Sequence, residues 1–256
     1  MTKISAVIIT MNEERSVERC INSISSLADE IIVVDSFSTD ETETICRKLN
    51  VRFFSHRFTG FMDQKNYAVS LASNDYVLSL DADEALSDGL IKSISEIKPD
   101  LMYDGYIFNR LNNYCGKWIR HSAWYPDRQL RLFNRNKGKF GPVNVHECFK
   151  MNAGSRIKAL KGDILHWPYD SPADFIGNME LYAEIAAGEY FRLGRKVNPF
   201  VPFIHMTWRF LLTYILHFGF LHGKTGYFLC SKGAWSSYLK YSKLRELWKE
   251  KKGQEP

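Results

Sequence analysis

Strand-like and helix-like segments alternate through the first hundred residues, and this alternation constrains the fold more than any other feature of the chain. Short runs rich in β-branched residues recur at residues 4–10, 30–35, 51–55 and 75–80, and helical patterns follow the first three. Such alternation is typical of βαβ units, which form a mostly parallel sheet with right-handed crossovers. The sequence therefore predicts an α/β fold whose central sheet is flanked by helices.

Cap signals predict where several of the helices begin. Asn12 can cap the helix that follows the first strand, and Ser38 with Glu41 has the spacing of a capping box. In the second half, Ser171 followed by Pro172 predicts the start of a long helix. From residue 101 onward the pattern changes to strands around an aromatic, basic segment, followed by helices to the end of the chain.

Composition and missing motifs exclude several classes of protein. Hydrophobic residues make up 45% of the chain and charged residues 25%, which argues against a disordered or polytopic membrane protein. The five cysteines are an odd number without a CxxC pair, which argues against a disulfide scaffold or a zinc cluster. The start of the chain lacks a signal peptide's apolar core and cleavage site, so we expect a cytoplasmic location.

Charge is distributed unevenly along the chain. Residues 1–128 contain 14 Lys and Arg against 19 Asp and Glu, whereas residues 129–256 contain 20 against 10. The acidic half suits a site that handles metal ions, and the basic half suits an anionic surface.

A long apolar stretch in the basic half predicts contact with a membrane. Residues 201–221 include 14 apolar residues, but Pro202 and Arg209 interrupt them, which favours an interfacial helix or hairpin over a span. The basic tail from residue 238 would add attraction to anionic lipid. We therefore expect peripheral attachment to the inner face of the cytoplasmic membrane, with a buried core helix as the alternative.

Polar residues cluster where the predicted strands end, which is where open parallel sheets bind ligands. Thr10 and Glu13 follow the first strand, Asp35 ends the second, and Asp81 and Asp83 follow the fourth. If the segment after the fourth strand stays extended, Asp81 and Asp83 face the same way and suit Mg²⁺ or Mn²⁺. In the alternative interpretation, Thr10 and Glu13 only begin a helix and Asp35 only caps a turn.

These residues lie in blocks that resemble a known family. ISAVIITMNEE, DEIIVVDSFSTDET and QKNYAVSLASNDYVLSLDADE resemble, in order and spacing, the inverting glycosyltransferases of family 2, which have a GT-A fold. The resemblance covers roughly residues 4–170. The resemblance is narrower to the subgroup that glucosylates the lipopolysaccharide inner core, and it rests there on GYIFNRLNNYCGKWIRHSAWYPDRQLRLF, NVHECF and ILHWPY.

The resemblance implies an organisation and a reaction. It implies a catalytic domain over residues 1–170, with a nucleotide-sugar half at 1–100 and an acceptor half at 101–170, and a helical extension over 171–256. The implied donor is a UDP-hexose, with UDP-glucose first, and the implied acceptor is a lipid-linked glycan.

The resemblance also implies roles for residues that contact the donor. Asp35 would accept from the nucleotide base, with Thr10 and Glu13 near the base and ribose. Lys65 would lie near the diphosphate or the base, although it could equally be an exposed helix cation. Asp81 would lie close to the ribose and to metal-bound water.

Further residues are implied around the metal and the phosphates. Asp83 would bind the metal, and His166 is allowed near the diphosphate or metal. Arg128 and Arg131 alternate in a strand-like segment and could clamp phosphates.

Inverting transfer needs a general base that deprotonates the acceptor hydroxyl. Glu147 is our first candidate because HE at residues 146–147 follows a Gly-Pro turn and resembles the subgroup's HE pair. Asp127 is the second candidate, and Asp163 is a third. A surface role is the alternative for Glu147.

Two other functions fit parts of the sequence less well. A nucleotidyltransferase would need a Gly-rich basic loop after the first strand, and ITMNEERS has none. A non-catalytic, membrane-associated binding module for carbohydrate or nucleic acid would suit the basic half. Acidic strand ends repel phosphate unless a cation intervenes, so we expect no nucleic-acid partner.

Overall fold

The structure is a computed structural model that describes residues 2–143 and 146–254, with the side chains of 142–147 and 252–254 left out. The strands are β1 (Ile4–Thr10), β2 (Glu30–Asp35), β3 (Arg52–Ser55), β4 (Tyr76–Asp81), β5 (Glu84–Leu86), β6 (Gly105–Tyr114), β7 (Lys117–Trp118), β8 (Asp127–Asn134), β9 (Gly138–Val143), β10 (His146–Met151) and β11 (Ile157–His166). The α-helices are α1 (Val17–Ile24), α2 (Thr42–Lys48), α3 (Phe61–Ser70), α4 (Asp88–Ile97), α5 (Pro172–Arg192), α6 (Val201–Phe210) and α7 (Gly223–Gln254).

The central sheet has the order β3-β2-β1-β4-β8-β6-β11-β5, and β7 pairs with the end of β6. β1, β2, β3 and β4 run parallel to one another, as the alternation of strands and helices predicted. β8 then pairs antiparallel with both β4 and β6, and β11 pairs antiparallel with β5. The predicted α/β class is confirmed, with a parallel half that carries the first strand ends and an antiparallel half beside it.

The chain divides into two compact units. Unit 1 comprises residues 1–111 and 127–167, and unit 2 comprises residues 112–126 and 168–256. The core of unit 1 forms because the apolar runs of β1, β2 and β4 are buried, with Ile4, Ile8 and Leu78 fully enclosed. Burying a side chain of this size contributes about 1.5–3 kcal/mol.

Two predicted helix starts are wrong. Asn12 does not cap α1, because its backbone is left-handed with φ 56° and its side chain accepts from the amide of Thr39. The helix begins later, at Val17. Ser38 and Glu41 form no capping box, because the Ser38 hydroxyl donates to Asp35 and accepts from the Asn12 amide.

The predicted cap of α5 is confirmed. Ser171 accepts from the amide of Asp174, whose side chain accepts from the Ser171 amide in return, and Pro172 is the first helical residue. In the same unit, an aromatic cluster encloses Trp124, which lies among Tyr114, Tyr169 and Phe175.

The predicted apolar stretch at residues 201–221 is not one continuous α-helix. α6 passes into a π-helical segment at Leu211–Leu216, and a 3₁₀ turn at Gly219–His222 leads into α7. Its large apolar side chains are mostly exposed, which does not fit the alternative of a buried core helix. Within the residues described, no helix combines the length and the hydropathy needed to cross a bilayer.

Candidate active site

Three parallel strands bring the predicted polar residues to one edge of the sheet. In the strand registers, Thr10 of β1 lies beside Asp35 of β2, and Ile9 lies beside Asp81 of β4. The carboxyl ends of parallel strands meet at the same edge, so residues that are far apart in sequence become neighbours. The candidate site is built at this edge.

On the β1–β2 side, the predicted donor residues are held by hydrogen bonds within the loops. The Asp35 carboxylate accepts from the Ser38 amide at 2.8 Å and from the Ser38 hydroxyl. The Glu13 amide donates to Thr42 Oγ1 at 2.8 Å, and its carboxylate accepts from Ser16. Thr10 Oγ1 is buried without a hydrogen-bond partner among the described atoms, so it could still bond to a ligand.

Two cations hold Asp81 at the end of β4. Lys65 of α3 places its ammonium 2.8 Å from Asp81 Oδ1, and Arg131 of β8 places Nη2 2.9 Å from Oδ2. Lys65 and Arg131 are both buried, which makes water a poor competitor for these ion pairs. The alternative that Lys65 is an exposed helix cation is therefore wrong.

The pKa values of Asp81 and Arg131 follow from the same contacts. Burial alone would raise the pKa of Asp81, but Lys65 and Arg131 outweigh it and hold that pKa well below the ordinary range. Burial lowers the pKa of Arg131, yet the carboxylates of Glu84 and Asp81 raise it above its usual value. Both groups therefore stay charged wherever the protein is folded.

Glu84 is a central residue that the sequence did not identify. It is the first residue of β5 and is fully buried, with Oε1 2.7 Å from Arg131 and 3.2 Å from Arg110. Its other oxygen accepts from the Asp81 amide at 3.1 Å. The LDADE block contains the signal, because a third acidic residue follows the strand, but nothing local shows that it points inward.

Arg131 points inward at a β-bulge, whereas Arg128, three residues earlier on the same strand, does not. Leu130 pairs with Ile107 and Leu132 with Tyr106, so Arg131 has no partner residue in the ladder to β6. An extra residue of this kind bends the strand and breaks the regular alternation of its side chains. Arg128 is exposed, so the structure does not bring the two arginines together as a phosphate clamp.

Asp81 and Asp83 separate into two environments, contrary to the expectation of one extended segment. Residues 82 and 83 form a turn between β4 and β5. The Asp83 carboxylate lies 3.1 Å from His166 Nε2 at the end of β11, rather than beside Lys65 or Arg131. The turn therefore gives the two aspartates different partners.

The described residues near Asp83 fit a divalent cation that also binds a ligand. Asp83 Oδ1 is buried and has no hydrogen-bond partner among the described atoms, and His166 lies beside the same carboxylate. No group of three or more His, Cys, Asp or Glu is arranged around a metal position in the described part of the chain. Mg²⁺ and Mn²⁺ are often held by one or two protein groups together with phosphate oxygens.

Of the first two base candidates, Asp127 is fully described. Its carboxylate lies 2.8 Å from Arg110 and accepts from Gln129 at 2.7 Å, and about 30% of its side chain is exposed. Glu147 lies on β10, where its backbone pairs with Pro142, but its side chain lies outside the described residues. Its role as a base stays a prediction.

Comparison with known proteins identifies the family. The family model for glycosyl transferase family 2 matches residues 5–162. The chain belongs to this family. The match spans the three strand ends, Asp83 and the first two base candidates, so the edge described above is the expected active-site region of a glycosyltransferase.

Relatives that match nearly the whole of this chain agree with this assignment. An uncharacterized glycosyltransferase of Rickettsia typhi is 30% identical over 96% of this chain and 88% of its own length. The lipopolysaccharide core biosynthesis glycosyltransferase LpsC of Rhizobium meliloti is 27% identical over 94% of this chain and 91% of its own. These similarities extend beyond the family model into unit 2.

The fold is also found among solved structures. Glucosyl-3-phosphoglycerate synthase of Mycobacterium tuberculosis, solved with Mn²⁺, uridine diphosphate and phosphoglyceric acid, matches with a TM-score of 0.50 and 18% identity. The match covers 77% of this chain and 80% of that one. The predicted GT-A fold is confirmed.

Proposed function

We propose that this glycosyltransferase is an inverting, divalent-cation-dependent hexosyltransferase that moves glucose from UDP-glucose to a lipid-linked glycan such as the lipopolysaccharide inner core. The observation that carries the proposal is the acidic edge, where Asp81 is neutralised by two cations and Asp83 keeps a buried oxygen without a partner. The similarity to LpsC, which extends over nearly the whole chain, supports the acceptor class.

Residues of the acidic edge would divide the work on the donor. Asp83 and His166 would hold Mg²⁺ or Mn²⁺, which when bound neutralises charge on the leaving diphosphate. Asp35 has spare acceptor positions for the nucleotide base, because a carboxylate offers about four and Ser38 uses two. Thr10 and Glu13 would face the base and ribose, and the exposed Arg128 is available to phosphate.

The acceptor hydroxyl would attack the anomeric carbon from the side opposite the diphosphate, which inverts the configuration. A base must take the hydroxyl proton as the new bond forms. Glu147 is the first candidate and Asp127 the second. Arg110 and Gln129 orient the Asp127 carboxylate, so that group would meet the acceptor in a fixed direction.

The test offers the purified protein a panel of nucleotide sugars with Mn²⁺ and measures thermal stabilisation, then transfer to lipopolysaccharide from a strain that lacks the protein. We expect UDP-glucose to stabilise the protein only when Mn²⁺ is present, and a single β-linked glucose to appear on the acceptor. Release of pyrophosphate from a nucleoside triphosphate, without sugar transfer, would instead support the nucleotidyltransferase alternative.

We further propose that unit 2 docks on an anionic bilayer. Exposed apolar side chains recur from the N-cap of α6 to the π-helical segment at the spacing of one helical face: Phe200, Ile204, Trp208, Leu211 and Ile215. We call these five residues the apolar stripe. Ile204 is 61% exposed and Trp208 is 56% exposed, which is costly for side chains of this size unless a partner covers them.

Charge around the stripe favours lipid over a protein partner. Residues 190–245 contain nine Lys or Arg and no Asp or Glu. A segment without carboxylates fits anionic headgroups, each nearby cation contributing about 1 kcal/mol. Lys243 of the basic tail is paired with Glu184 at 2.9 Å, so it would add less to lipid attraction than an unpaired lysine.

Co-sedimentation with vesicles tests the docking surface. Ile204→Ser with Trp208→Ser should abolish binding to vesicles that contain phosphatidylglycerol. The matched control is Leu181→Ser with Ile185→Ser. These two residues are 54% and 48% exposed at the same spacing on α5, but they lie beside Glu180 and Glu184. Equal loss in both double variants, or no binding by the unmodified chain at low salt, would contradict the proposal.

A further inference from the structure

Glu84 has no assigned part in the reaction, yet it contacts three strands of the site. It is fully buried, and both of its oxygens are used. Oε1 accepts from Arg131 of β8 and Arg110 of β6, and Oε2 accepts from the amide of Asp81 at the end of β4. One carboxylate therefore ties together the turn that carries Asp83 and two neighbouring strands.

The ion pairs around Glu84 form a continuous chain of alternating charge. Glu84 shares Arg131 with Asp81, whose other cation is Lys65, and it shares Arg110 with Asp127. Arg110 lies 3.2 Å from Glu84 and 2.8 Å from Asp127. This ion-pair chain thus contains three cations and three carboxylates. In order, its members are Lys65, Asp81, Arg131, Glu84, Arg110 and Asp127.

The two halves of this ion-pair chain face different parts of the proposed reaction. Asp81 belongs to the donor side, and Asp127 is a candidate base on the acceptor side. Arg131 and Arg110 could each shift toward their outer partner if the carboxylate between them were lost. Because Glu84 is excluded from water, no solvent molecule is available to replace it.

We propose that Glu84 is a positioning residue that sets the geometry of the donor and acceptor carboxylates together. It acts through Arg131 on Asp81, through Arg110 on Asp127, and through the Asp81 amide on the turn that carries Asp83. The inference rests on the proposed function, because it assigns Asp81 to the donor and Asp127 to the acceptor side.

Glu84→Gln is the first test, since it preserves shape and removes the charge. For the folded protein we expect a higher KM for UDP-glucose and a lower kcat, with kcat/KM falling about 10²-fold, as for misplacement of reacting groups by about 1 Å. Glu30→Gln is the matched control. Glu30 accepts from Ser73 and Arg52 at the start of β2, away from the strand ends, so its loss should lower stability and leave both constants unchanged.

Glu84→Gln combined with Arg110→Gln separates positioning from stability. The double variant keeps two cations and two carboxylates in the ion-pair chain. Its melting temperature should therefore lie well above that of Glu84→Gln alone. Arg110→Gln alone, which keeps Glu84, gives the part of the loss in turnover that comes from Asp127. We expect the double variant to turn over more slowly per folded molecule than Arg110→Gln, because Arg131 and the turn that carries Asp83 have also lost their partner. A purely structural role for Glu84 predicts equal turnover per folded molecule in these two variants.

The outcomes distinguish this inference from the proposed function. If the unmodified chain transfers glucose and Glu84→Gln has wild-type KM and kcat per folded molecule, Glu84 is not a positioning residue and the function stands. If the unmodified chain transfers sugar from no nucleotide sugar, the proposed function is overturned and the inference with it. If the double variant matches Arg110→Gln in turnover per folded molecule, the role of Glu84 is stability alone.

Discussion

Replacing Arg131 with Met should destabilise unit 1 far more than any surface substitution on the same strand. Arg131 has 5% of its side chain exposed and lies 2.9 Å from Asp81 and 2.7 Å from Glu84. Met fills a similar volume but leaves two carboxylates facing each other without a cation between them. The perturbation is therefore electrostatic rather than a loss of packing.

The expected magnitude follows from burial. Removing one partner of a buried ion pair costs about 3–5 kcal/mol, because the remaining charge is left uncompensated. Glu84 is fully enclosed and keeps only the longer contact with Arg110, at 3.2 Å, so it bears most of this cost, whereas Asp81 keeps 25% of its side chain in solvent and retains Lys65. For a chain of this length the loss corresponds to a fall in Tm of roughly 6–20 °C.

The measurement is thermal unfolding of Arg131→Met and Arg128→Met side by side at neutral pH. Arg128 lies on the same strand, is exposed, and has no ion pair described, so its replacement should cost less than about 0.5 kcal/mol. A Tm for Arg131→Met within 2–3 °C of the Arg128→Met value, an expected difference of about 1 kcal/mol or less, would refute the view that the buried network stabilises the sheet.

Three further predictions concern the site and unit 2. Asp83→Asn should abolish the Mn²⁺-dependent part of nucleotide-sugar binding while leaving the circular dichroism spectrum unchanged, and unaltered titration by Mn²⁺ would contradict its role. Glu147→Gln should lower kcat by about 10²–10⁴-fold with donor binding intact; if Asp127→Asn is inactive instead, the base is Asp127. Burial and His121 lower the pKa of His222, whose Nε2 accepts from the Arg120 amide at 3.2 Å. The stability that the neutral His222 ring contributes is therefore complete above about pH 6.5 and is lost as pH falls through the lowered pKa. Protection from hydrogen exchange around residues 217–223, corrected for the intrinsic pH dependence of exchange, should therefore fall between pH 7.5 and 5.5, and His222→Gln should remove that change.

The parallel half of the fold could be predicted because β1, β2 and β4 are rich in apolar, mostly buried residues. β1 and β2 agree with the predicted bounds, since both faces of these strands are buried and every residue contributes to the pattern. The short β5 and the helix α4 were not predicted. β5 has only three residues, and α4 depends on Ser87, whose hydroxyl accepts from the Leu90 amide.

Residues whose environment depends on distant partners could not be placed from the sequence. Arg131 lies at a bulge against β6 and is buried beside Asp81 and Glu84, and periodicity along β8 gives no sign of the extra residue or of these partners. Glu84 is buried because Arg110 and Arg131 neutralise it, and these lie 26 and 47 positions away. Asn12 turns left-handed because the Ser38 hydroxyl and the Thr39 amide, on the neighbouring loop, satisfy its polar groups.

The Asp-Ala-Asp segment, taken from sequence as one metal-binding pair, resolves into two carboxylates with different electrostatic roles. Asp81 is already neutralised by Lys65 and Arg131, so a divalent cation placed against it would be repelled by both. Asp83 has no Lys or Arg within ion-pairing distance among the described residues, and its free oxygen gives the cation a ligand. In the proposed function, the buried network would therefore direct a cation to Asp83, and Asp81, whose charge Lys65 and Arg131 balance, would contact the donor without competing for the metal.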